Sequence, residues 1–178
     1  MKSVLSVKML AVLALVLLVF GATDGRILSK CELKEQLEAA QIPVIRAMGN
    51  KMTVDDLIAK LVCMASASGF NTSYVKAITT KPKAPVIQQL YGVFQLSDQL
   101  ACDSGMNPSL NVCNMSCSAL IDDDVTDDIA CLKTMISSML NTILVKECRS
   151  VVASRYFAEC LTAVSPMAAT SPLGETTA

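Results

Sequence analysis

Five aspartates lie within seven consecutive positions, and dense carboxylate clusters of this kind are typical of sites for hard divalent cations. The five are Asp122, Asp123, Asp124, Asp127 and Asp128 in the stretch IDDDVTDDIACLK, residues 121–133. Neighbouring like charges raise one another's pKa, so some positive charge must compensate them. Ca²⁺ suits this role because it takes roughly six to eight oxygens from carboxylates and backbone carbonyls, whereas Mg²⁺ keeps several waters.

The N-terminus of a helix would stabilise part of the negative charge of these aspartates. Thr126 is predicted to be the N-cap of a helix over residues 127–143, which places Asp127 and Asp128 in the first turn. The helix macrodipole stabilises an anion there by roughly 0.3–1 kcal/mol. The other three carboxylates stay unexplained, and an EF-hand is excluded because its alternating acids, central Gly and closing Glu are missing. The local sequence therefore leaves a calcium site and a solvated acidic helix start both open.

Apolar periodicity predicts the elements that must position this loop. Three amphipathic helices are expected, at residues 31–40, after Thr53 as N-cap, and at 127–143. Their predicted buried residues are Leu33, Leu37 and Ala40; Leu57, Ile58, Leu61 and Ala65; and Ile129, Leu132, Ile136, Met139 and Ile143. Between residues 71 and 105 the helical period disappears, so we expect a loop at 79–85 and short strands in VIQQLYGVFQL, residues 86–96. A short helix or turn is expected at 151–160.

The ends of the chain differ from its middle. Residues 1–25 combine a basic start with an apolar run at 9–20, which predicts a signal peptide cleaved after Gly25 and a secreted, extracellular protein. Residues 26–160 form one predicted domain, and the Ser-, Thr- and Pro-rich residues 161–178 a disordered tail. Without Lys2, Lys8 and Asp24 the net charge is −2. We therefore expect a monomer that binds neither nucleic acid nor, after signal cleavage, a membrane.

Eight cysteines and no histidine restrict the chemistry further. All eight cysteines follow residue 25, and an even number in an exported chain predicts four disulfides. Zinc is disfavoured, because Cys113 and Cys117 are the one closely spaced pair and no histidine can complete a site. A Ser-His-Asp triad is excluded for the same reason. Asn71 (NTS) and Asn114 (NMS) stand in N-glycosylation sequons.

Three segments closely resemble the C-type lysozyme and α-lactalbumin family. They are CELKEQL at 31–37, LYGVFQLSDQLACDSG at 90–105, and NVCNMSCSALIDDDVTDDIACLK at 111–133. The resemblance covers about residues 26–160, with all eight cysteines in matching order. It implies an α+β fold with a helical lobe, a small antiparallel β lobe from roughly residue 72 to 103, and a cleft between them.

The resemblance also implies the covalent links and the metal ligands. The implied disulfides are Cys31–Cys160, Cys63–Cys148, Cys102–Cys117 and Cys113–Cys131. Calcium-binding members hold Ca²⁺ through oxygens at positions that correspond here to Ala119, Asp122, Asp124, Asp127 and Asp128. Ala119 and Asp124 would contribute backbone carbonyls, and the other three their side chains. A calcium site is therefore expected in this loop.

The same resemblance implies that the catalytic carboxylates of lysozyme are absent. Lysozyme, which is the standard example of a general acid paired with an ionised carboxylate, needs both groups. Their positions correspond to Ala67 and Leu90, so no catalytic residue is expected. We expect a secreted calcium-binding protein that binds a glycan or a secreted protein. The alternatives are a lysozyme using an unusual acid such as Asp98 or Asp103, and a galactosyltransferase modulator like α-lactalbumin.

Overall fold

The computed structural model describes residues 25–43, 46–47 and 50–162. Residues 1–24 of the predicted signal peptide and residues 163–178 of the predicted tail lie outside this part of the chain. Within it, no helix combines the length and apolar character needed to cross a membrane.

Five α-helices and three 3₁₀ helices form the helical lobe of the described chain. The α-helices are α1 (Lys30–Ala39), α2 (Val54–Ala65), α3 (Thr126–Ile143), α4 (Ala153–Tyr156) and α5 (Ala158–Thr162). The 3₁₀ helices are Ser66–Ser68, Cys117–Leu120 and Lys146–Cys148. The three long helices appear where apolar periodicity predicted them. Helix α5 includes Leu161 and Thr162, which the sequence had assigned to the disordered tail.

Two small antiparallel sheets complete the fold. Strands β1 (Arg46–Ala47) and β2 (Asn50–Lys51) pair with each other, a contact that the sequence analysis did not predict. Strands β3 (Val75–Thr79), β4 (Val86–Tyr91) and β5 (Leu96–Ser97) form the β lobe in the order β3-β4-β5. Residues 80–85 connect β3 to β4 as the predicted loop, and VIQQLYGVFQL supplies β4 and the first residue of β5.

Four disulfides cross-link these elements. They are Cys31–Cys160, Cys63–Cys148, Cys102–Cys117 and Cys113–Cys131, the pairing that the family resemblance implies. Two of them enclose long stretches of chain, with sequence separations of 129 and 85 residues. Closing such loops removes much of the conformational freedom of the unfolded chain, and a disulfide typically contributes about 2–4 kcal/mol to stability.

Helix α2 is the centre of the core and is buried on more sides than predicted. The predicted stripe Leu57, Ile58, Leu61 and Ala65 is buried, but so are Ala59, Lys60, Val62 and Met64. A helix packed by neighbours all round loses the simple stripe that apolar periodicity detects. In α3 the buried residues include Met135 and Leu140, which the predicted stripe missed.

One face of α2 holds the C-terminal part of the domain through polar and covalent contacts. Asp56 Oδ1 accepts a hydrogen bond from the Ala153 amide (2.9 Å), and the buried Lys60 Nζ donates to the Arg149 carbonyl (2.8 Å). Cys63 adds its disulfide to Cys148. The three α2 residues are spaced four and three positions apart, so they share one side of the helix.

Gly92 joins the β lobe to the acidic loop by a close backbone approach. Its φ of +69° is a conformation that residues with a Cβ rarely adopt. A Cβ at this position would lie 2.1 Å from the Leu120 carbonyl oxygen and 2.7 Å from Asp128 Oδ1. Only glycine therefore lets the turn after β4 pack against the segment that carries the aspartates.

We predict that Gly92→Ala destabilises the fold by several kcal/mol, because it adds a steric clash to the roughly 1–2 kcal/mol cost of a left-handed backbone. Gly105→Ala is the matched control, since Gly105 has a φ of +71° and nothing within 4 Å of the added Cβ. Chemical denaturation of both variants measures the difference. Equal losses of stability would contradict the close approach.

Candidate functional site

The acidic loop, defined here as residues 119–128, is held rigidly at both ends. It runs from the 3₁₀ helix Cys117–Leu120 into the first turn of α3. Cys117 is tied to Cys102 just before the loop, and Cys131 is tied to Cys113 just after it. The Arg26 side chain adds a contact from the N-terminal segment through its Nε, 3.4 Å from the Asp123 carbonyl. The backbone of the loop is thus positioned by covalent links rather than by its own secondary structure.

Three of the aspartates bind amides of the loop itself. Asp122 Oδ1 accepts from the Asp124 amide (2.9 Å), Asp124 Oδ1 from Thr126 (3.0 Å) and Asp127 Oδ1 from Asp128 (3.0 Å). The Thr126 hydroxyl and amide hold the pKa of Asp124 below its usual range.

The predicted N-cap role of Thr126 is wrong. Helix α3 begins at Thr126 itself, Val125 occupies the cap position, and no side chain caps the helix there. The physical reason is that the Asp124 carboxylate accepts a hydrogen bond from the Thr126 amide, which holds Thr126 in the first turn of the helix. Asp127 and Asp128 still lie in the first turn, as predicted.

Asp128 is the exception among the aspartates, since it is buried and incompletely bonded. Its side chain is 2% exposed, and Oδ1 has no hydrogen-bond partner among the described residues. Burial, together with the charges of Asp127 and Asp122, raises its pKa to about 8. Burial first, and then the nearby Asp122 and Asp124 charges, also raise the pKa of Asp127. The loop therefore concentrates negative charge around one carboxylate that the protein does not satisfy.

The aspartates of this loop suit a hard cation, although their side chains do not converge on one point in this structure. In the part of the chain that the structure describes, no three acidic, histidine or cysteine side chains surround a common point. The five predicted ligand residues Ala119, Asp122, Asp124, Asp127 and Asp128 share one loop. The carboxylates of Asp122, Asp124 and Asp127 turn to backbone amides, as mutual repulsion favours. A donor set made only of oxygens, with one buried carboxylate oxygen unpaired, is the chemistry that Ca²⁺ prefers.

We predict that Asp128→Asn stabilises the protein in EDTA at pH 8 by about 1–3 kcal/mol, because it removes an unsatisfied buried charge. The folded-state pKa of Asp128, about 8, lies above its ordinary value of 3.8, so the native state keeps a proton that the unfolded state has lost. The stability of the wild type in EDTA should therefore fall as pH rises from about 4 to 8. The stabilisation by Asp128→Asn should accordingly be smaller at pH 5 than at pH 8.

Denaturant unfolding in EDTA at both pH values measures this effect. Asp123→Asn is the control, because it makes the same charge change at an exposed position of the same loop. A variant at Asp128 that is less stable than wild type at both pH values would contradict the account.

A cleft lies between the two lobes, and none of the described residues that line it has an ionisable side chain. Its volume is about 440 Å³. Residues of α2, the β lobe and the end of α3 line it, and all are apolar or neutral: Met64, Gln88, Leu90, Phe94, Gln95, Leu96, Ser97, Gln99, Leu100, Met135, Thr142, Ile143 and Val145. Oε1 of Gln95 is buried without a hydrogen-bond partner among the described residues. The cleft thus offers apolar surface and amide groups, but no acid or base.

Both positions that the family resemblance matches to the catalytic carboxylates of lysozyme hold neutral residues. Leu90 lies on β4 and lines the cleft, and Ala67 lies exposed in the 3₁₀ helix Ser66–Ser68. Neither alternative acid lines the cleft. Asp98 is 0% exposed and accepts bonds from the Gln89 amide, Ser104 Oγ and Asn107 Nδ2. Asp103 is exposed and accepts from the Gly105 amide.

The two sequon asparagines differ in their surroundings. Asn71 is partly buried, and its Oδ1 accepts hydrogen bonds from both the amide and the hydroxyl of Ser73, the third residue of its own sequon. Asn114 is exposed and has a φ of +52°. Glycosylation of either residue stays a prediction.

Sequence reasoning missed several residues that shape the two sites. Gly92 gave a usable signal, because a glycine inside an otherwise strand-like run marks a close backbone approach. The burial of Asp98 gave none, since its three partners are brought together by the fold. On α3, Ile143 was predicted to be a core residue and Met135 was outside the predicted stripe, but both line the cleft.

Comparison with known proteins agrees with this architecture. The sequence profile of the C-type lysozyme/alpha-lactalbumin family matches residues 26–156. The protein belongs to this family. Among its relatives, the milk isozyme of lysozyme C from Canis lupus familiaris is 33% identical over 140 residues, which cover 76% of this chain and 98% of the relative. Sperm acrosome-associated protein 5 from Homo sapiens is 33% identical, with 71% and 72% covered.

Two further comparisons extend across the family. Alpha-lactalbumin from Ovis aries is 31% identical, covering 71% of this chain and 79% of the relative. The crystal structure of a calcium-binding lysozyme from equine milk superimposes with a TM-score of 0.57 at 29% identity, covering 76% of this chain and 98% of the other. The family therefore includes lysozymes as well as alpha-lactalbumin, and some lysozymes in it bind calcium.

Proposed function

We propose that the protein is a secreted, calcium-binding member of the lysozyme family that has no hydrolase activity and acts as a monomeric binding module for a glycan or a secreted protein. One observation carries the proposal: among the described residues, no ionisable side chain lines the cleft. The lining includes Leu90, the position that the family resemblance matches to one catalytic carboxylate. Hydrolysis of a glycoside requires a proton donor and a second carboxylate on opposite sides of the bond.

Calcium is the metal that the acidic loop suits best. Asp122, Asp127 and Asp128 would hold it through carboxylates, with carbonyl oxygens of Ala119 and Asp124. The unpaired Asp128 oxygen and the raised pKa of its carboxyl support this proposal, because a bound dication would neutralise the charge that burial makes unfavourable. The ion would thereby lock the start of α3 against the turn at Gly92. The equine milk relative is described as a calcium-binding lysozyme, which supports the same ion.

Secretion is supported by the N-terminus and by the disulfides. The basic, then apolar, first twenty residues match a signal peptide, and four disulfides persist only in an oxidising compartment. Relatives named as milk isozymes of lysozyme C point the same way.

We predict that EDTA lowers the thermal midpoint and that excess Ca²⁺ restores it. A ligand that binds only the native state at about a hundredfold over its Kd adds roughly 2.7 kcal/mol, which is roughly 5–10 °C for a domain of this size. Scanning calorimetry with EDTA, Ca²⁺ and Mg²⁺ measures the shift. Asp127→Ala should abolish the response, and Asp123→Asn should preserve it. An unchanged wild-type midpoint would contradict the calcium proposal.

The cleft is suited to binding rather than to chemistry. Its lining combines apolar side chains such as Phe94 and Leu100 with the amides of Gln88, Gln95 and Gln99. The absence of charge in the lining favours a neutral ligand or a neutral part of one.

We predict no clearing of a bacterial peptidoglycan suspension by the wild-type protein, under conditions in which an active C-type lysozyme clears it. Ala67→Glu combined with Leu90→Asp returns both carboxylates, and we expect detectable clearing only in that double variant. Each single variant serves as a control, because one carboxylate is insufficient. Turnover by the wild type would overturn the non-catalytic proposal, whereas silence of the double variant would show that the cleft itself no longer admits the polysaccharide.

A further inference from the structure

Strand β3 is an edge strand whose outer side is unpaired among the described residues. The sheet order is β3-β4-β5, so β3 has a neighbour on one side only. The Gly92 amide donates to the Tyr74 carbonyl at 2.9 Å, immediately before the β3–β4 ladder. Hydrogen-bonded and non-hydrogen-bonded pairs alternate along an antiparallel ladder, so the backbone amides and carbonyls of Lys76 and Ile78 face β4. The amides and carbonyls of Val75 and Ala77 must then point outward, where they can accept another strand.

The hairpin that contains this edge carries positive charge without any compensating acid. Lys76, Lys81 and Lys83 are exposed, and no Asp or Glu occurs between Asp56 and Asp98. None of the ion pairs in the described chain involves these three lysines. The net charge of the predicted mature chain is −2, but the β3–β4 hairpin, residues 75–91, carries a formal charge of +3.

The same hairpin also exposes large apolar side chains. Val75 is 40% exposed on the edge strand, and Tyr74, which precedes it, is 38% exposed. Ile87 on β4 is 44% exposed. A strand edge with exposed β-branched side chains is a template for pairing with a further strand.

We propose that β3 docks an extended acidic segment of another secreted protein, which adds to the sheet as a fourth strand. Main-chain hydrogen bonds to Val75 and Ala77 would supply affinity, as in other cases of strand addition. Side chains alternate across a strand, so the segment would place apolar residues beside Val75 and Ala77, and carboxylates beside Lys76. Lys81 and Lys83 would attract the same segment from the connecting loop. This surface does not overlap the lining of the cleft, so the proposal goes beyond the proposed function.

The test uses a fluorescein-labelled peptide of four Glu-Val repeats, titrated with the wild-type protein at saturating Ca²⁺ and followed by anisotropy. Ala77→Pro removes one outward amide, and proline is tolerated at an edge position that faces solvent. We expect this variant, and separately the triple variant Lys76→Glu, Lys81→Glu and Lys83→Glu, to weaken binding at least about tenfold, the effect of losing one or two charge-assisted or main-chain hydrogen bonds. Lys146→Glu, an exposed lysine outside the hairpin, should bind like wild type.

The thermal midpoint in Ca²⁺ shows whether each variant is folded, and amide chemical shifts of the wild type locate the contact. Shifts confined to residues 74–79 and 86–87 support the proposal. Absence of binding up to about 1 mM, equal binding of a Lys-Val peptide, or shifts centred on the cleft would overturn it. If Ala77→Pro does not fold, the triple lysine variant decides the question alone, because it leaves the strand backbone intact.

Discussion

The start of α3 is where an unpaired buried carboxylate has to be stabilised. Asp128 lies almost wholly out of solvent with one oxygen unbonded among the described residues, and the charges around it raise its pKa to about 8. Two disulfides and the close approach of Gly92 keep the loop from opening to relieve this charge. The proposed cation would neutralise this charge. The contact at Gly92 joins the acidic loop to the turn after β4.

Charge is distributed unevenly over the domain, and the distribution separates three surfaces. The acidic loop is strongly negative, the cleft is uncharged and the β3–β4 hairpin is positive. Such an uneven charge distribution favours the recognition of different partners at different surfaces. The net charge of the whole chain, which is near zero, does not describe any of the three surfaces. Among the described residues, the lining of the neutral cleft has no ionisable side chain that could transfer a proton.

More features of the fold than of the candidate site could be predicted from the sequence. Long helices follow from apolar periodicity, and Thr53 caps α2 as expected by accepting the Asp56 amide. The cap of α3 was wrong because Asp124, rather than Thr126, bonds the first free amide, and a sequence does not rank such competing short-range contacts. The burial of Lys60 and Asp98 was also beyond sequence reasoning, since their carbonyl and amide partners come from distant segments. For the proposed metal site, residue types indicate candidate donors, but the side-chain orientations depend on repulsion among them.

Isothermal titration calorimetry of Ca²⁺ into protein stripped with a chelator measures whether the acidic loop binds the ion. We expect a saturable heat with a stoichiometry of about one ion per chain, which Asp128→Asn abolishes and Asp123→Asn preserves. A titration of the wild type with no heat beyond dilution, together with an equally silent competition against a coloured calcium chelator, would contradict the calcium proposal.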